Sequence, residues 1–244
     1  AAISGKLNKI NYFSSTNSTQ SGNISEIAQP QNEVYEKDRF SRYNLLGKLG
    51  WQTTQKLRLD FFGTLDKINQ DYDFMFDNTG FDDTNKNKSN TQQFRFGFSP
   101  KYNYKNGEIK LNSNFSNIER KYQEWDNWNN DFTFTQYFSR NVNLDLVNKY
   151  NFSKEIAFIT GLNYQFYDMA QESIWGNLDK KNTKFIVLDP YFTAVYISNF
   201  GLNLNLGARL NHHSTYGNHF VFNFNPSYNI VKEVKGNELA NKEY

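Results

Sequence analysis

The stretch Gln93-Phe94-Arg95-Phe96-Gly97-Phe98-Ser99-Pro100-Lys101-Tyr102-Asn103-Tyr104 changes character at almost every residue. Phe94, Phe96, Phe98, Tyr102 and Tyr104 take one side; Gln93, Arg95, Gly97, Ser99, Lys101 and Asn103 take the other. Successive side chains of a β-strand point to opposite faces, so the segment reads as a strand with one apolar and one polar face. Leu202, Leu204, Leu206, Ala208 and Leu210 stand in the same way against Asn203, Asn205, Gly207, Arg209 and Asn211. Phe220, Phe222, Phe224, Pro226, Tyr228 and Ile230 stand against His219, Asn223, Asn225, Ser227 and Asn229. The polar rows carry charges and amides, which a water-filled lumen accommodates and a dry core does not. Repeated along a chain, this pattern predicts an all-β fold, the antiparallel wall of a transmembrane β-barrel.

Working outward, the connections fall into two classes. Short ones are predicted at Thr53-Thr54-Gln55, Lys105-Asn106-Gly107, Ser153-Lys154 and Ser198-Asn199-Phe200-Gly201. Asn106-Gly107 is a favoured pair for a tight hairpin because both residues tolerate positive φ. Long connections rich in Asn, Asp, Ser and Thr are predicted over 14–38, 67–90, 119–135 and 169–184, with 212–218 shorter but on the same side by parity. Strict alternation makes 136–152 one strand running through Arg140-Asn141. About ten strands result, near 3–13, 39–51, 56–67, 91–104, 108–118, 136–152, 156–168, 185–197, 201–211 and 219–231. Trp51, Tyr102, Tyr104, Tyr150, Phe152 and Tyr228 all fall at strand ends beside short turns, as in an aromatic girdle at headgroup level.

Composition sets bounds. The 244 residues have a mean hydropathy of -0.78, which a barrel wall tolerates because only alternate residues meet lipid. Aromatic residues make up 18%, the feature a girdled wall demands. A net charge of +2 with scattered Lys and Arg gives no field for nucleic acid. There is no cysteine, which excludes disulfide scaffolds, Cys-zinc sites and thiol nucleophiles. No apolar run approaches the roughly 20 residues of a spanning helix. The opening Ala1-Ala2-Ile3-Ser4-Gly5-Lys6 has no secretory apolar stretch, so the chain is expected to be either a mature form or, the favoured reading, a piece of a longer protein.

Three groups of residues are candidates for chemistry. Asp66, Asp71, Asp73, Asp77, Asp82 and Asp83 crowd one predicted exterior loop and its root. Flexible oxygen-rich loops suit calcium, although this spacing is not that of an EF-hand; the alternative is a solvated loop. Trp125, Trp128 and Trp175 sit among Asp and Asn in two predicted exterior loops, where they would bind a flat or sugar-like ligand or pack the loops on the rim. His212, His213 and His219 surround Ser214, but no G-x-S-x-G turn accompanies them, and His212 and His213 would point to opposite faces of a strand. A ligand-lining role is expected for His212 and His213. The inward row Arg58, Asp60, Arg95, Lys101, Lys110, Asp145, Lys149 and Arg209 would line a pore or grip a plug.

Asp38-Arg39-Phe40-Ser41-Arg42-Tyr43-Asn44-Leu45-Leu46-Gly47-Lys48-Leu49-Gly50, followed by Lys56-Leu57-Arg58-Leu59-Asp60-Phe61-Phe62, resembles barrel strands of TonB-dependent outer-membrane receptors. The branch it resembles is the cobalamin-receptor-like one of Bacteroidetes. Gly207-Ala208-Arg209-Leu210-Asn211-His212-His213-Ser214-Thr215-Tyr216-Gly217-Asn218-His219, closed by Asn225-Pro226-Ser227-Tyr228, resembles a later hairpin of that branch. The resemblance implies a 22-stranded barrel in the bacterial outer membrane, an N-terminal plug, energising by the TonB complex through that plug, and a small-molecule nutrient of the cobalamin, haem or siderophore class. It also implies calcium on exterior-loop aspartates, here Asp66, Asp71 and Asp73, with Asp82 and Asp83 nearby. No cofactor is required otherwise. The chain lacks plug, TonB-binding and terminal-strand patterns, so residues 1–244 are expected to be a central barrel segment whose partners are lipid, the remaining barrel and the plug.

Two other classes compete with this transporter reading. One is a self-contained ten-stranded outer-membrane barrel with protease- or lipase-type activity at its rim. The other is a soluble β-solenoid or lectin-like binder, against which stands the absence of a fixed-length repeat.

Overall fold

Eleven strands pair in the order in which the chain makes them. The computed structural model describes residues 1–24, 37–77, 80–82 and 86–229. The strands are β1 (Ala2–Leu7), β2 (Ile10–Ile24), β3 (Asp38–Gln52), β4 (Leu57–Asp71), β5 (Phe74–Asp77), β6 (Gly80–Asp82), β7 (Lys88–Tyr104), β8 (Gly107–Asp126), β9 (Asp131–Asn151), β10 (Ile156–Glu172), β11 (Phe185–Ile197), β12 (Leu202–His213) and β13 (Gly217–Tyr228). β5 and β6 form a small separate hairpin in the β4–β7 connection; the rest make one antiparallel meander with edges at β1 and β13. A single helical turn, α1 (Lys180–Thr183), lies between β10 and β11.

Pairing carries each side chain's face from strand to strand. Phe96 stands opposite Gly63 on β4 and Phe115 on β8, and from there the row continues through Val142, Phe166 and Ile186. The other face links Gln93 to Asp66 and Ile118, and Asp145 through Asn163 to Asp189. The expected inward row Arg58, Asp60, Arg95, Lys101, Lys110, Asp145, Lys149 and Arg209 lies wholly on this polar face. Among the described residues no second layer covers the apolar face. Among the described residues Val187 is the single buried hydrophobic side chain, while Phe222 is 76% exposed and Leu206 49%. Phe and Leu left in water each forfeit about 1.5–3 kcal/mol, so a sheet with this surface needs an apolar solvent.

The apolar face forms a band of defined height. On β7 it runs from Tyr104 to Phe94 and then turns polar at Gln92, Asn90 and Lys88. Eleven residues rise roughly 34 Å along a strand, or about 26 Å at the usual barrel tilt, which matches a hydrocarbon layer. The six girdle aromatics all lie at the short-turn edge of this band, with Tyr104 and Tyr150 stacked 6.5 Å apart.

Where prolines interrupt pairing, side chains fill in. β7–β8 pairing lapses between Phe98 and Lys101 around Pro100, and the Ser113 hydroxyl donates to Phe98 O (2.5 Å) and accepts from Phe98 N–H (3.2 Å). At Pro190, where β11–β12 pairing lapses, Asn211 Nδ2 donates to Asp189 Oδ1 at 2.6 Å. Proline has no N–H to give a ladder; beside Pro100 a side-chain hydroxyl bonds the backbone, and beside Pro190 a side-chain pair bridges the two strands.

The structure corrects three expectations. The predicted first strand, 3–13, is a hairpin turned at Asn8, whose φ is 51°. The apolar parity shifts there from Ile3 and Leu7 to Ile10 and Tyr12, the mark of a tight turn; the main sheet therefore has eleven strands, not ten. Its edges β1 and β13 do not pair with each other, unlike the wall of a closed ten-stranded barrel. Secondly, much of what reads as long loop is strand: β2 reaches Ile24, β8 reaches Asp126 and β9 starts at Asp131. The β2 and β8 extensions carry mostly polar residues on both faces, which weakens the two-residue contrast, whereas on β9 Phe132 and Phe134 still alternate with Asp131, Thr133 and Thr135. Thirdly, the turn between β7 and β8 is Lys105-Asn106, and neither Asn106 nor Gly107 has positive φ. Gly107 is needed for closeness, since a Cβ there would collide with the Lys149 carbonyl and the Tyr104 ring.

Candidate functional site

The wall extensions on β8, β9 and β10 enclose an open groove of about 530 Å³ on the polar face. Arg120, Tyr122 and Glu124 descend one strand at every second position, Tyr137 and Ser139 face them from β9, and Met169 closes one side from β10. Tyr122 meets Tyr72 and Tyr137 edge-to-face at 6.2 Å and 6.1 Å. The Tyr72 hydroxyl donates to Glu124 Oε1 at 3.0 Å, and Arg120 Nη1 donates to the Tyr122 hydroxyl at 3.3 Å. The groove thus offers ring faces, one guanidinium and one carboxylate. It suits a small polar molecule with a flat part and a charged group.

A second aromatic assembly crosses β10, β11 and β12 on the same face. Tyr167 stacks on Phe185 at 4.8 Å, Phe185 on His213 at 5.0 Å, and His213 lies 4.6 Å from Tyr216. His213 Nδ1 accepts from the N–H groups of Thr215 (3.1 Å) and Tyr216 (3.3 Å), which places its proton on Nε2. The Ser214 hydroxyl accepts from Ile186 N–H at 3.0 Å and makes no bond to His213. No nucleophile–base pair exists at this turn. His212 points to the opposite face, its Nδ1 2.6 Å from Asn218 Oδ1.

The tryptophans divide. Trp125 is half-buried: its ring packs 4.9 Å from Phe132 and lies 3.9 Å under Lys86 Nζ, and its backbone N–H donates to Asn87 Oδ1 at 2.8 Å. It braces the β8–β9 hairpin. Trp128 and Trp175 stand almost fully in solvent, at 97% and 90% exposure. Trp128 sits on a turn organised by Asp126, whose Oδ1 accepts from Trp128 N–H at 2.8 Å and whose Oδ2 accepts from Asn129 Nδ2 at 2.6 Å. These bonds, the Asn129 amide first, hold the Asp126 carboxyl below its ordinary range.

The aspartates do not converge. Asp66 lies on the polar face and is held by Arg42 through Nε at 3.1 Å and Nη2 at 2.5 Å. Asp71 lies on the opposite face beside Arg39 Nε at 3.3 Å. Asp73 is buried past the end of β4, Asp82 lies in β6, and Asp83 falls outside the described residues. Among the described residues no three acidic or histidine side chains stand close enough to hold a metal ion. Asp66 and Asp71, each engaged by an arginine on opposite faces, do not fit a shared calcium site.

Sequence reading missed Arg120, Tyr122, Glu124 and Tyr137 as a site because they fall within or beside the segment taken for loop. The usable signal was parity: Arg120, Tyr122, Glu124 and Asp126 continue the inward row of Lys110, Asn112, Asn114 and Ser116, which Ile118 alone interrupts.

No family model matches the chain, and no curated protein matches it. Solved structures do. The ferric enterobactin receptor PfeA of Pseudomonas aeruginosa, determined with enterobactin, aligns over 95% of this chain and 39% of its own, with TM-score 0.65 and 12% identity. The siderophore receptor PirA of Acinetobacter baumannii aligns over 94% and 38%, with TM-score 0.65 and 12% identity. The RagAB peptide transporter aligns over 93% and 33%, with TM-score 0.63 and 11% identity. The chain therefore has the antiparallel barrel-wall fold of these receptors and spans two-fifths or less of their length.

Proposed function

We propose that this chain is part of the wall of a TonB-dependent outer-membrane receptor that takes up a scarce small nutrient. The observation that carries the reading is an apolar band about one hydrocarbon layer tall that no described residue covers, on a chain of which 95% aligns with a siderophore receptor. Short turns would face the periplasm, and the long extensions with their polar groove would face the exterior. Arg120, Tyr122, Glu124 and Tyr137 would form the nutrient platform, with His213 in the neighbouring stack and Trp128 and Trp175 at the loop tips as first contacts. Arg95, Lys110 and Lys149, which have no ion pair among the described residues, would face the plug. Calcium enters this reading only through the β4–β7 connection, at Asp73, Asp82 and Asp83, and a chelator-sensitive change in nutrient affinity lost in Asp82→Asn/Asp83→Asn would support it.

The test is uptake. Deleting the gene that encodes this chain should abolish growth on limiting amounts of one nutrient among ferric siderophores, haem, cobalamin and oligopeptides. Arg120→Ala and Tyr137→Ala should each weaken binding of that nutrient about tenfold with the protein still in the outer membrane. Unimpaired growth of the deletion strain on every one of them overturns the proposal.

A further inference from the structure

On β3, β4 and β7 the apolar face stops at one level. Tyr43, Leu45, Leu65 and Phe94 are its last apolar side chains, and Lys67 and Gln92 follow, with Asn117 beside them on β8. An open groove of about 300 Å³ straddles this boundary on the outward face. Higher on the same strands is a second groove of about 570 Å³, lined by Arg39, Ser41, Asn69, Asp71 and Lys88. Asp71 stands opposite Lys88 and beside Arg39, so three charges form a row across β3, β4 and β7. The climb from Lys67 to that row is four residues of β4, roughly 13 Å.

The charges of this corner are lopsided. Arg39, Lys67, Lys88 and Lys121 face outward against Asp71 and Glu119. Asp71 takes Arg39, and Glu119 takes Lys121 Nζ at 2.7 Å. Lys67 and Lys88 have no ion pair among the described residues, and they occupy the two levels. Amides fill the space around them: Gln92, Asn117 and Asn69.

We infer that this corner binds a phosphorylated glycolipid of the outer leaflet. Acyl chains lie on Leu45, Leu65 and Phe94, sugar hydroxyls meet the amides, and phosphates at two heights meet Lys67 and the Lys88–Arg39 row. A glycerophospholipid with a single phosphate engages the lower level alone. The upper cations call for a headgroup that extends about 13 Å further and carries a second anion. The inference rests on the membrane placement proposed above, though not on the nutrient or its platform.

The experiment uses the full-length protein bearing this chain, purified from membranes and examined by native mass spectrometry. The probes are an acylated glucosamine disaccharide with two phosphates, its singly phosphorylated counterpart, and phosphatidylglycerol. The doubly phosphorylated lipid should be retained at least tenfold better than phosphatidylglycerol, and the Lys67→Gln/Lys88→Gln variant should lose that preference. A Lys154→Gln control in the opposite short turn should keep it. Equal retention of all three probes, or a preference unchanged in the double variant, overturns the inference while leaving the membrane placement intact. Recovery of the protein from the soluble fraction overturns both.

Discussion

The ring of Tyr191 on β11 lies over Gly161, its direct partner on β10, and its hydroxyl reaches past that strand to donate to Asp145 Oδ1 on β9 at 3.1 Å. The Arg209 guanidinium of β12 stands 5.2 Å from the same ring. One tyrosine thus ties four strands together, and it does so because residue 161 has no side chain. Gly161→Val should push the ring out and break the Asp145 bond, costing about 1–3 kcal/mol by overpacking. Tyr191→Phe should cost less, about 1 kcal/mol, since ring packing survives. Urea unfolding of the reconstituted protein measures both; equal stability of Gly161→Val and wild type would contradict the interlock.

Adjacent residues test which solvent each face meets. Phe192 is in the middle of the apolar band and Thr193 is on the polar face across from Gly207. Phe192→Arg should cost about 2–4 kcal/mol as a mid-bilayer charge, whereas Thr193→Arg should be close to neutral. Heat-modifiability and outer-membrane yield report the outcome. Similar losses for the two variants would mean that the faces are not differently solvated.

Just above the band, Arg140 of β9 clasps Asp168 of β10 on the outward face; the aspartate is 4% exposed. Arg140→Ala leaves a buried carboxylate without its partner and should destabilise by about 1–3 kcal/mol. Asp168→Asn introduced into Arg140→Ala should recover a substantial part of that loss. The check is a double-mutant cycle of unfolding midpoints. Additive losses would show that the two side chains act independently.

The β8–β9 turn should loosen in acid. Asp126 is held below its ordinary 3.8 by bonds to its ionised form, so the stability it lends is fully present above that value and lost as pH falls through the lower folded value. Hydrogen exchange at Trp128 N–H should stay slow down to about pH 4 and accelerate below it. In Asn129→Ala the acceleration should begin at higher pH. A Trp128 exchange profile with no acid step beyond the intrinsic one would contradict this.

Legibility tracked physical contrast. Within the band every other residue is chosen for hydrocarbon, so face, turn class and the long strand through Arg140 and Asn141 could be read directly from residue order. Above the band, Asn17 to Gln20, Glu119 to Asp126 and Lys88 to Gln92 are mostly polar on both sides. Nothing in their composition separates strand from loop. The candidate groove falls in that blind region, which is why Tyr122 and Arg120 went unnoticed while exposed Trp128 and Trp175 drew attention. Face is likewise invisible in mere nearness along the chain: Asp66 and Asp71, five positions apart, face opposite ways.

Residue order alone determined that one face is greasy and the other wet, and which end of the sheet has tight turns, because a period of two is a local property of the chain. Tertiary structure alone decided how far the strands rise, that Tyr191 finds the gap at Gly161, and that arginines from a neighbouring strand occupy Asp66 and Asp168. Those outcomes depend on register between strands, and register is set by cooperative pairing across the sheet, which no single segment encodes.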